Sequence, residues 1–186
     1  MTLRTLLLAA ALMLASCGDK PAAFNSMDVT GATWAQHYEL PNLQGQPVSE
    51  RSFPGKVTAV FFGFLYCPDA CPTHLTKMVE LKKRLGKDAD RLQVVFITVD
   101  PESDQPEALA AFLSSFDPSF VGLRGTPDQV AATAKDFRVF FKKNGPSSID
   151  HTTFTYVYDP QGRLRLVVPQ DLAIEKLESD VRVLLR

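Results

Sequence analysis

Two uninterrupted apolar runs dominate the hydrophobic pattern of the chain. Residues 56–64 and residues 92–99 are rich in Val, Phe and Ile, and each run contains few polar residues. A strand that is buried on both faces has this pattern, whereas a strand with one wet face alternates apolar and polar residues. The two runs therefore predict two strands that are buried on both faces of a sheet.

Amphipathic helices are predicted after each of these strands. Pro72 suits the first helical position and Gly86 a helix end, and apolar residues recur between them at helical spacing. Asp104 with Glu107, and Thr126 with Gln129, have the spacing of capping boxes at the starts of two further helices. A last helix is predicted from Asp171. Its inward positions are Ile174, Leu177, Val181 and Leu184.

Shorter segments complete the predicted fold. Residues 38–40 and 47–49 predict an N-terminal hairpin, and residues 153–158 and 163–168 a second hairpin. Residues 139–141 predict a short strand, and the polar residues 142–150 an exposed loop. This order predicts an α/β protein with a mixed central sheet flanked by helices, and a thioredoxin-like fold is the natural candidate.

Length and charge limit the class of protein. The chain has 186 residues, 45% of them hydrophobic and 22% charged, which fits one well-packed domain. Its formal net charge is -1, and its lysines are scattered rather than concentrated. We therefore expect no nucleic-acid partner.

The first residues predict a targeting segment. Arg4 precedes an apolar run at residues 6–14, which is too short to span a membrane. The residues Leu-Ala-Ser-Cys that end at Cys17 resemble a bacterial lipoprotein lipobox, although an ordinary secretory signal is the alternative. We therefore predict a signal peptide at residues 1–16, lipidation of Cys17, a flexible tether at residues 17–33 and a folded domain at residues 34–186. The expected location is the periplasmic face of a bacterial membrane.

Lipidation of Cys17 leaves two of the three cysteines, Cys67 and Cys71, as an isolated pair. They lie between a buried strand and a helix start, where unpaired N–H groups and the helix dipole favour thiolates. Three residues separate them, whereas a thioredoxin-type redox pair has two. Two thiolates around one ion suit Cu(I), and an added imidazole also suits Cu(II), with zinc as the rival metal.

Three histidines are candidates for the third ligand. His37 precedes the first hairpin and is expected at the surface. His74 follows Cys71 on the same helix, but its side chain would have to point back past the helix start to reach the thiols. His151 follows the predicted loop, and the neighbouring Asp150 can orient its imidazole. A loop histidine bonded to backbone is an equally good interpretation of His151 from the residues alone.

Several motifs occurring in order resemble the Sco/SenC family, over roughly residues 38–168. They are residues 63–73 (GFLYCPDACPT), residues 99–104 (VDPESD), residues 149–152 (IDHT) and residues 156–162 (YVYDPQG). The resemblance implies a membrane-tethered, thioredoxin-like copper chaperone that delivers copper to the dinuclear centre of cytochrome c oxidase. It also implies one copper ion, Cu(I) or Cu(II), held by Cys67, Cys71 and His151.

The resemblance has two departures and one alternative. Many members have a transmembrane helix in place of the lipobox, and many have arginine at the position of Ser103.

The expected partners are the copper-centre subunit of the oxidase, and another periplasmic copper carrier or a thiol reductant. The alternative function is a thiol–disulfide oxidoreductase that uses Cys67 and Cys71 to reduce a copper-receiving partner. A thiol peroxidase is disfavoured, because residues 64–66 lack the Thr that precedes a peroxidatic cysteine. A metallochaperone without catalytic residues is the favoured prediction over an enzyme.

Overall fold

The computed structural model describes residues 23–145 and 148–186. Over these residues the strands are β1 (Met27–Asp28), β2 (Glu39–Pro41), β3 (Pro47–Ser49), β4 (Val57–Gly63), β5 (Leu92–Thr98), β6 (Val121–Leu123), β7 (Phe141–Gly145), β8 (Ser148–His151), β9 (Thr155–Tyr158) and β10 (Leu164–Val168). The helices are α1 (Ala70–Leu85), α2 (Pro106–Phe116), α3 (Pro127–Asp136) and α4 (Ile174–Leu184), with a 3₁₀ helix at Gly86–Arg91.

Six strands form the central sheet in the order β1-β10-β9-β4-β5-β6. The strands β4, β5 and β6 run parallel to one another, whereas β9 runs antiparallel to β4. Every residue of β4 and of β5 is buried, as the continuous apolar runs predict. The predicted mixed sheet and thioredoxin-like architecture are confirmed.

The sheet separates two hydrophobic clusters, and successive side chains of β4 enter opposite ones. Phe61 packs with the apolar faces of α1 and α4, which include Leu75 and Leu177. Phe62 packs on the other side, where it contacts the rings of Phe137 and Tyr156 at centroid distances of 5.2 and 6.3 Å. Both faces of the central strand are therefore covered, and its carboxyl end is free to carry a site.

The folded part of the chain begins before the boundary at residue 34 that the sequence predicts. The strand β1 pairs with the edge of β10. Next to it, the backbone and side chains of Asn25 and Ser26 donate four hydrogen bonds of 2.6–2.9 Å to the buried carboxylate of Asp180. Residues 24–33 are therefore docked on the domain. Residues 1–22, which hold the predicted signal peptide and Cys17, lie outside the described residues.

Two helix starts differ from the prediction. The helix α1 begins at Ala70, so that Pro72 occupies its first turn rather than its first position. Thr126 forms the predicted capping box with Gln129, but Asp104 does not cap α2, which begins after Gln105. The carboxylate of Asp104 turns inward instead, to partners described below. Among the described residues, no helix is long and apolar enough to cross a membrane.

The prediction for residues 139–150 is partly wrong. The polar residues that were expected to form a loop make β7 and β8, a two-stranded antiparallel sheet separate from the central one. The side chains of β7 are exposed or half-buried, so the strand has no apolar alternation from which to predict it. His151 is the last residue of β8, and this hairpin sets its position.

Candidate metal centre

Cys67 and Cys71 lie at the junction of β4 and α1, beyond the carboxyl end of the central strand. The chain turns at Phe64, whose carbonyl accepts a hydrogen bond from Cys67 N at 3.3 Å. Cys71 lies in the first turn of α1, where backbone N–H groups have no partner within the helix. One of these, Cys71 N–H, donates to Cys67 Sγ at 3.4 Å. The helix start therefore fixes one thiol relative to the other.

The two thiols differ in their access to solvent. Cys71 is 2% exposed, whereas Cys67 is half-buried, and both are free cysteines. Burial raises the pKa of Cys71 well above its usual value, and the nearby Cys67 and Asp104 raise it further. The expectation that the helix start would favour both thiolates is therefore wrong for Cys71, because burial disfavours the charged thiolate and raises the pKa of this thiol. A soft cation that replaces the proton would remove this penalty.

His151 presents an imidazole to the same site. Its Nδ1 lies 2.9 Å from the carbonyl oxygen of Thr152, which can only accept, so the neutral ring carries its proton on Nδ1. The lone pair is then on Nε2. The ring also makes an edge contact with Phe64, at a centroid distance of 5.9 Å. The predicted orienting role of Asp150 is wrong, since Asp150 accepts a hydrogen bond from Asn144 at 2.7 Å instead.

The fold brings the three predicted ligands together. One ligand atom from each of Cys67, Cys71 and His151 lies within 4.8 Å of the other two. His151 comes from a segment 80 residues beyond Cys71, so the hairpin and the helix start meet only in the folded protein. Two sulfurs and one nitrogen form a soft donor set that suits copper, and zinc on ligand type alone.

The other two histidines are outside this group. His37 has a side chain that is 70% exposed and an Nδ1 that lies 2.9 Å from Glu50. His74 is 5% exposed, its ring contacts that of Phe61 in a tilted arrangement with a centroid distance of 4.1 Å, and its Nε2 lies 3.3 Å from the hydroxyl of Thr155. Burial lowers the pKa of His74 to about 3, so its imidazole is neutral at ordinary pH. His74 is a core residue beside the site.

A buried carboxylate supports the cysteine loop. Asp104 is fully buried, and its Oδ2 accepts hydrogen bonds from Leu65 N at 3.0 Å and from Thr98 Oγ1 at 2.5 Å. Burial raises the pKa of Asp104, although these two bonds oppose the rise. Its Oδ1 has no partner among the described residues. Asp104 thus joins the end of β5 to the loop that carries Cys67.

A second carboxylate contacts the hairpin that carries His151. Lys143 Nζ donates to both carboxylate oxygens of Asp100, at 2.9 and 3.1 Å, and to Ser103 Oγ at 3.3 Å. The sequence places Asp100 and Ser103 in a recognisable motif, but it gives no signal that Lys143 would reach them. Lys143 therefore ties the hairpin to the loop that holds Asp100 and Ser103.

The fold and the three-ligand group define a thioredoxin-like protein with a candidate soft-metal centre of two cysteines and one histidine. The chain belongs to the SCO1/SenC family, whose profile matches residues 27–186. It is 37% identical over 133 residues to the mitochondrial protein SCO2 of Saccharomyces cerevisiae. That alignment covers 68% of this chain and 44% of the yeast protein, so the chain spans less than half of that relative's length.

Solved structures of bacterial relatives share the fold. ScoI of Bradyrhizobium japonicum, determined with copper bound, is 37% identical with a TM-score of 0.69, and the match covers 79% of this chain and 96% of that one. The apo Sco1 protein of Thermus thermophilus is 36% identical with a TM-score of 0.76, covering 87% of this chain and 97% of the other. The match therefore extends over nearly the whole of both relatives' solved domains.

Proposed function

We propose that this protein binds one copper ion through Cys67, Cys71 and His151 and carries it to the dinuclear copper centre of cytochrome c oxidase. The approach of the three ligand atoms to within 4.8 Å of one another is the observation that carries the proposal. Family membership supports it, because SCO1/SenC proteins are copper-binding proteins of cytochrome c oxidase assembly. The Bradyrhizobium relative has been solved with copper bound.

The donor set fits both oxidation states of the cargo. A pair of thiolates can hold Cu(I) in two-coordinate geometry, whereas Cu(II) takes a larger set that includes nitrogen. His151, with its lone pair on Nε2, supplies that nitrogen. Cys71 is buried, so the ion is shielded on one side, and the half-buried Cys67 leaves the other side open to a recipient's ligands. Transfer then proceeds by ligand exchange and needs no catalytic residue.

The proposed setting is the periplasmic face of a bacterial membrane, with the protein anchored by lipid at Cys17. The recipient in this setting is the copper-centre subunit of the oxidase. Another periplasmic copper carrier is the proposed source of the copper, or a thiol reductant keeps the two cysteines reduced. We propose no nucleic-acid partner, because the formal net charge of -1 gives the protein little attraction for a phosphate backbone.

Anaerobic copper titration of the protein and its variants tests the proposal. His151→Ala should lose the intense sulfur-to-copper charge-transfer band with Cu(II) while it retains tight Cu(I) binding. The control His37→Ala removes an exposed imidazole and should behave as wild type. Cys67→Ser and Cys71→Ser should each lose tight binding of both ions. If either serine variant binds stoichiometric Cu(I) with wild-type affinity, the shared site is wrong.

A thiol–disulfide oxidoreductase is the second candidate. It is favoured by the contact between Cys71 N–H and Cys67 Sγ, and by the pairing of an accessible thiol with a buried one. An attacking thiol must be accessible, and a resolving thiol need only reach the first. This function does not use His151. Full support of the oxidase in cells by His151→Ala would favour the reductase over the chaperone.

A further inference from the structure

The hairpin that carries His151 is weakly attached to the rest of the domain. We call it the histidine hairpin, formed by β7 (Phe141–Gly145) and β8 (Ser148–His151). Over the residues that the structure describes, it shares no backbone ladder with the central sheet, and an isolated two-stranded sheet is marginally stable in water. Among the described residues, Ile149 is its one fully buried side chain, and the half-buried Phe141 packs against the same hydrophobic cluster. The position of His151 therefore depends on a small number of side-chain contacts.

One ion pair joins this hairpin to the body of the domain. Among the described residues, Lys143 is the hairpin residue whose side chain hydrogen-bonds outside the hairpin and its flanking residues. Its partner Asp100 has a side chain that is 6% exposed, whereas that of Lys143 is 42% exposed. Because the carboxylate has little access to water, removal of Lys143 would leave a buried charge without its partner, which costs more than the loss of an ordinary surface salt bridge.

Asp100 in turn is fixed to the segment that carries the cysteines. Its backbone N–H donates to Thr98 Oγ1 at 3.0 Å, and its carbonyl accepts from Asp104 N at 2.9 Å. The side chain of Asp104 accepts from Leu65 N, two residues before Cys67. Hydrogen bonds therefore run from the cysteine loop through Asp104 and Asp100 to Lys143 on the histidine hairpin.

We propose that Lys143 is a positioning residue, whose ion pair with Asp100 holds the histidine hairpin so that His151 faces Cys67 and Cys71. This inference rests on the proposed copper function. Lys143 touches neither thiol and acts through the hairpin alone. On β7 it lies opposite Ile149, two residues before His151 on the partner strand.

Loosening of the histidine hairpin should affect the affinities for Cu(I) and Cu(II) differently. Apparent affinity falls in proportion to the fraction of molecules in which the binding geometry is populated. Cu(II) requires the imidazole, so its affinity should follow the population of the closed hairpin. Cu(I) is held by the two thiolates and should be nearly insensitive. A residue that merely stabilised the fold would reduce both affinities together.

The test compares Lys143→Gln with Lys142→Gln in the protein. Both variants remove one positive charge from the same strand, but no ion pair of Lys142 occurs among the described residues. We expect Lys143→Gln to weaken Cu(II) binding about threefold to tenfold, with Cu(I) affinity unchanged within about twofold. Lys142→Gln should leave both affinities unchanged. Lys143→Arg, which keeps the charge, should recover part of the loss.

Hydrogen exchange of the metal-free protein gives a second measurement that does not depend on copper. The amides of residues 148–151 should exchange about threefold to tenfold faster in Lys143→Gln, with those of β4 unchanged. Adding Asp100→Asn to Lys143→Gln should cause no further acceleration, because the pair is already broken.

Equal Cu(II) affinity in the two glutamine variants would overturn the inference. So would equal losses of Cu(I) and Cu(II), or unchanged exchange of the hairpin amides. Failure of the wild-type protein to bind copper through Cys67 and Cys71 is a different result. It would overturn the proposed function, and with it the copper role of Lys143.

Discussion

Gly63 lies directly against the sulfur of Cys71. A Cβ at residue 63 would come within 2.7 Å of Cys71 Sγ and 2.8 Å of Phe96 Cε2. Contacts this short do not occur between real side chains, so one of the neighbours would have to move. The absence of a side chain at the last residue of β4 is therefore what allows the buried thiol to lie beneath the metal centre.

The substitution Gly63→Ala should displace Cys71 and damage the metal centre. We expect the free energy of unfolding to fall by about 1–3 kcal/mol, as in other overpacked cores. Affinity for both Cu(I) and Cu(II) should fall, because both use the Cys71 sulfur. Gly145→Ala is the control for stability, since a Cβ at that position meets no atom of the described residues within 4 Å. If Gly63→Ala has wild-type stability and copper affinity, the prediction is wrong, and the backbone around residue 63 can move to accept a Cβ without displacing Cys71.

The buried His74 should make the metal-free protein sensitive to acid. Its pKa of about 3 in the folded protein is below the ordinary value of 6.5. The unfolded chain therefore binds more protons than the folded one between these values, and stability falls as the pH falls through that range. From about pH 7.5 to about pH 5 this group should account for a loss of about 2 kcal/mol.

Urea unfolding at the two pH values measures this effect. His74→Gln replaces the imidazole with a neutral group that can still hydrogen-bond, so the variant should lose about 2 kcal/mol less than wild type on acidification. His37→Gln removes an exposed histidine and should lose as much as wild type. An equal decrease for wild type and His74→Gln would show that His74 does not remain neutral in the folded protein.

Asp180 should anchor the N-terminal segment. Asp180→Ala leaves the four donors of Asn25 and Ser26 without their acceptor, so the free energy of unfolding should fall by about 1–3 kcal/mol. Limited proteolysis should then cleave the chain before residue 34 more rapidly. Glu175→Ala on the same helix breaks only an exposed pair with Arg84 and should change stability by less than about 1 kcal/mol. Slow cleavage in Asp180→Ala would contradict the anchoring role.

Cys17 is expected to carry the lipid anchor. Cys17→Ser should abolish incorporation of a fatty acid analogue and leave the protein unprocessed or released from the membrane. Cys67→Ser is the matched control and should be labelled normally, because its sulfur belongs to the proposed metal centre. Unchanged labelling of Cys17→Ser would assign the segment to an ordinary secretory signal instead.

The central part of the fold was predictable because burial leaves a direct record in the sequence. The strands β4 and β5 are continuous apolar runs, and α3 begins with a capping box whose two residues are three apart. The histidine hairpin left no such record, because the side chains of β7 are largely exposed and its pairing uses backbone groups. The strand β1 was missed for the same reason, since both of its residues are exposed.

Polar side chains were the least predictable part of the site. Asp104 has the spacing of a helix cap, and only the folded structure shows its carboxylate turned toward Thr98 and Leu65. The proximity of Cys67 and Cys71 follows from their separation along the chain. The placement of His151 beside them could not be predicted in this way, because no local pattern determines whether residues 80 positions apart, such as Cys71 and His151, meet in the fold. Its selection over His74 came from the resemblance to a family.

The docking of residues 24–33 on the domain would limit how far the protein could move from a lipid anchor at Cys17. If Cys17 carries the lipid, the segment from residue 17 to Phe24 can cover at most about 25 Å. A tether that reached residue 34 would allow about 60 Å. With the shorter segment, the proposed copper site would meet only recipients whose own copper centre lies close to the same lipid surface.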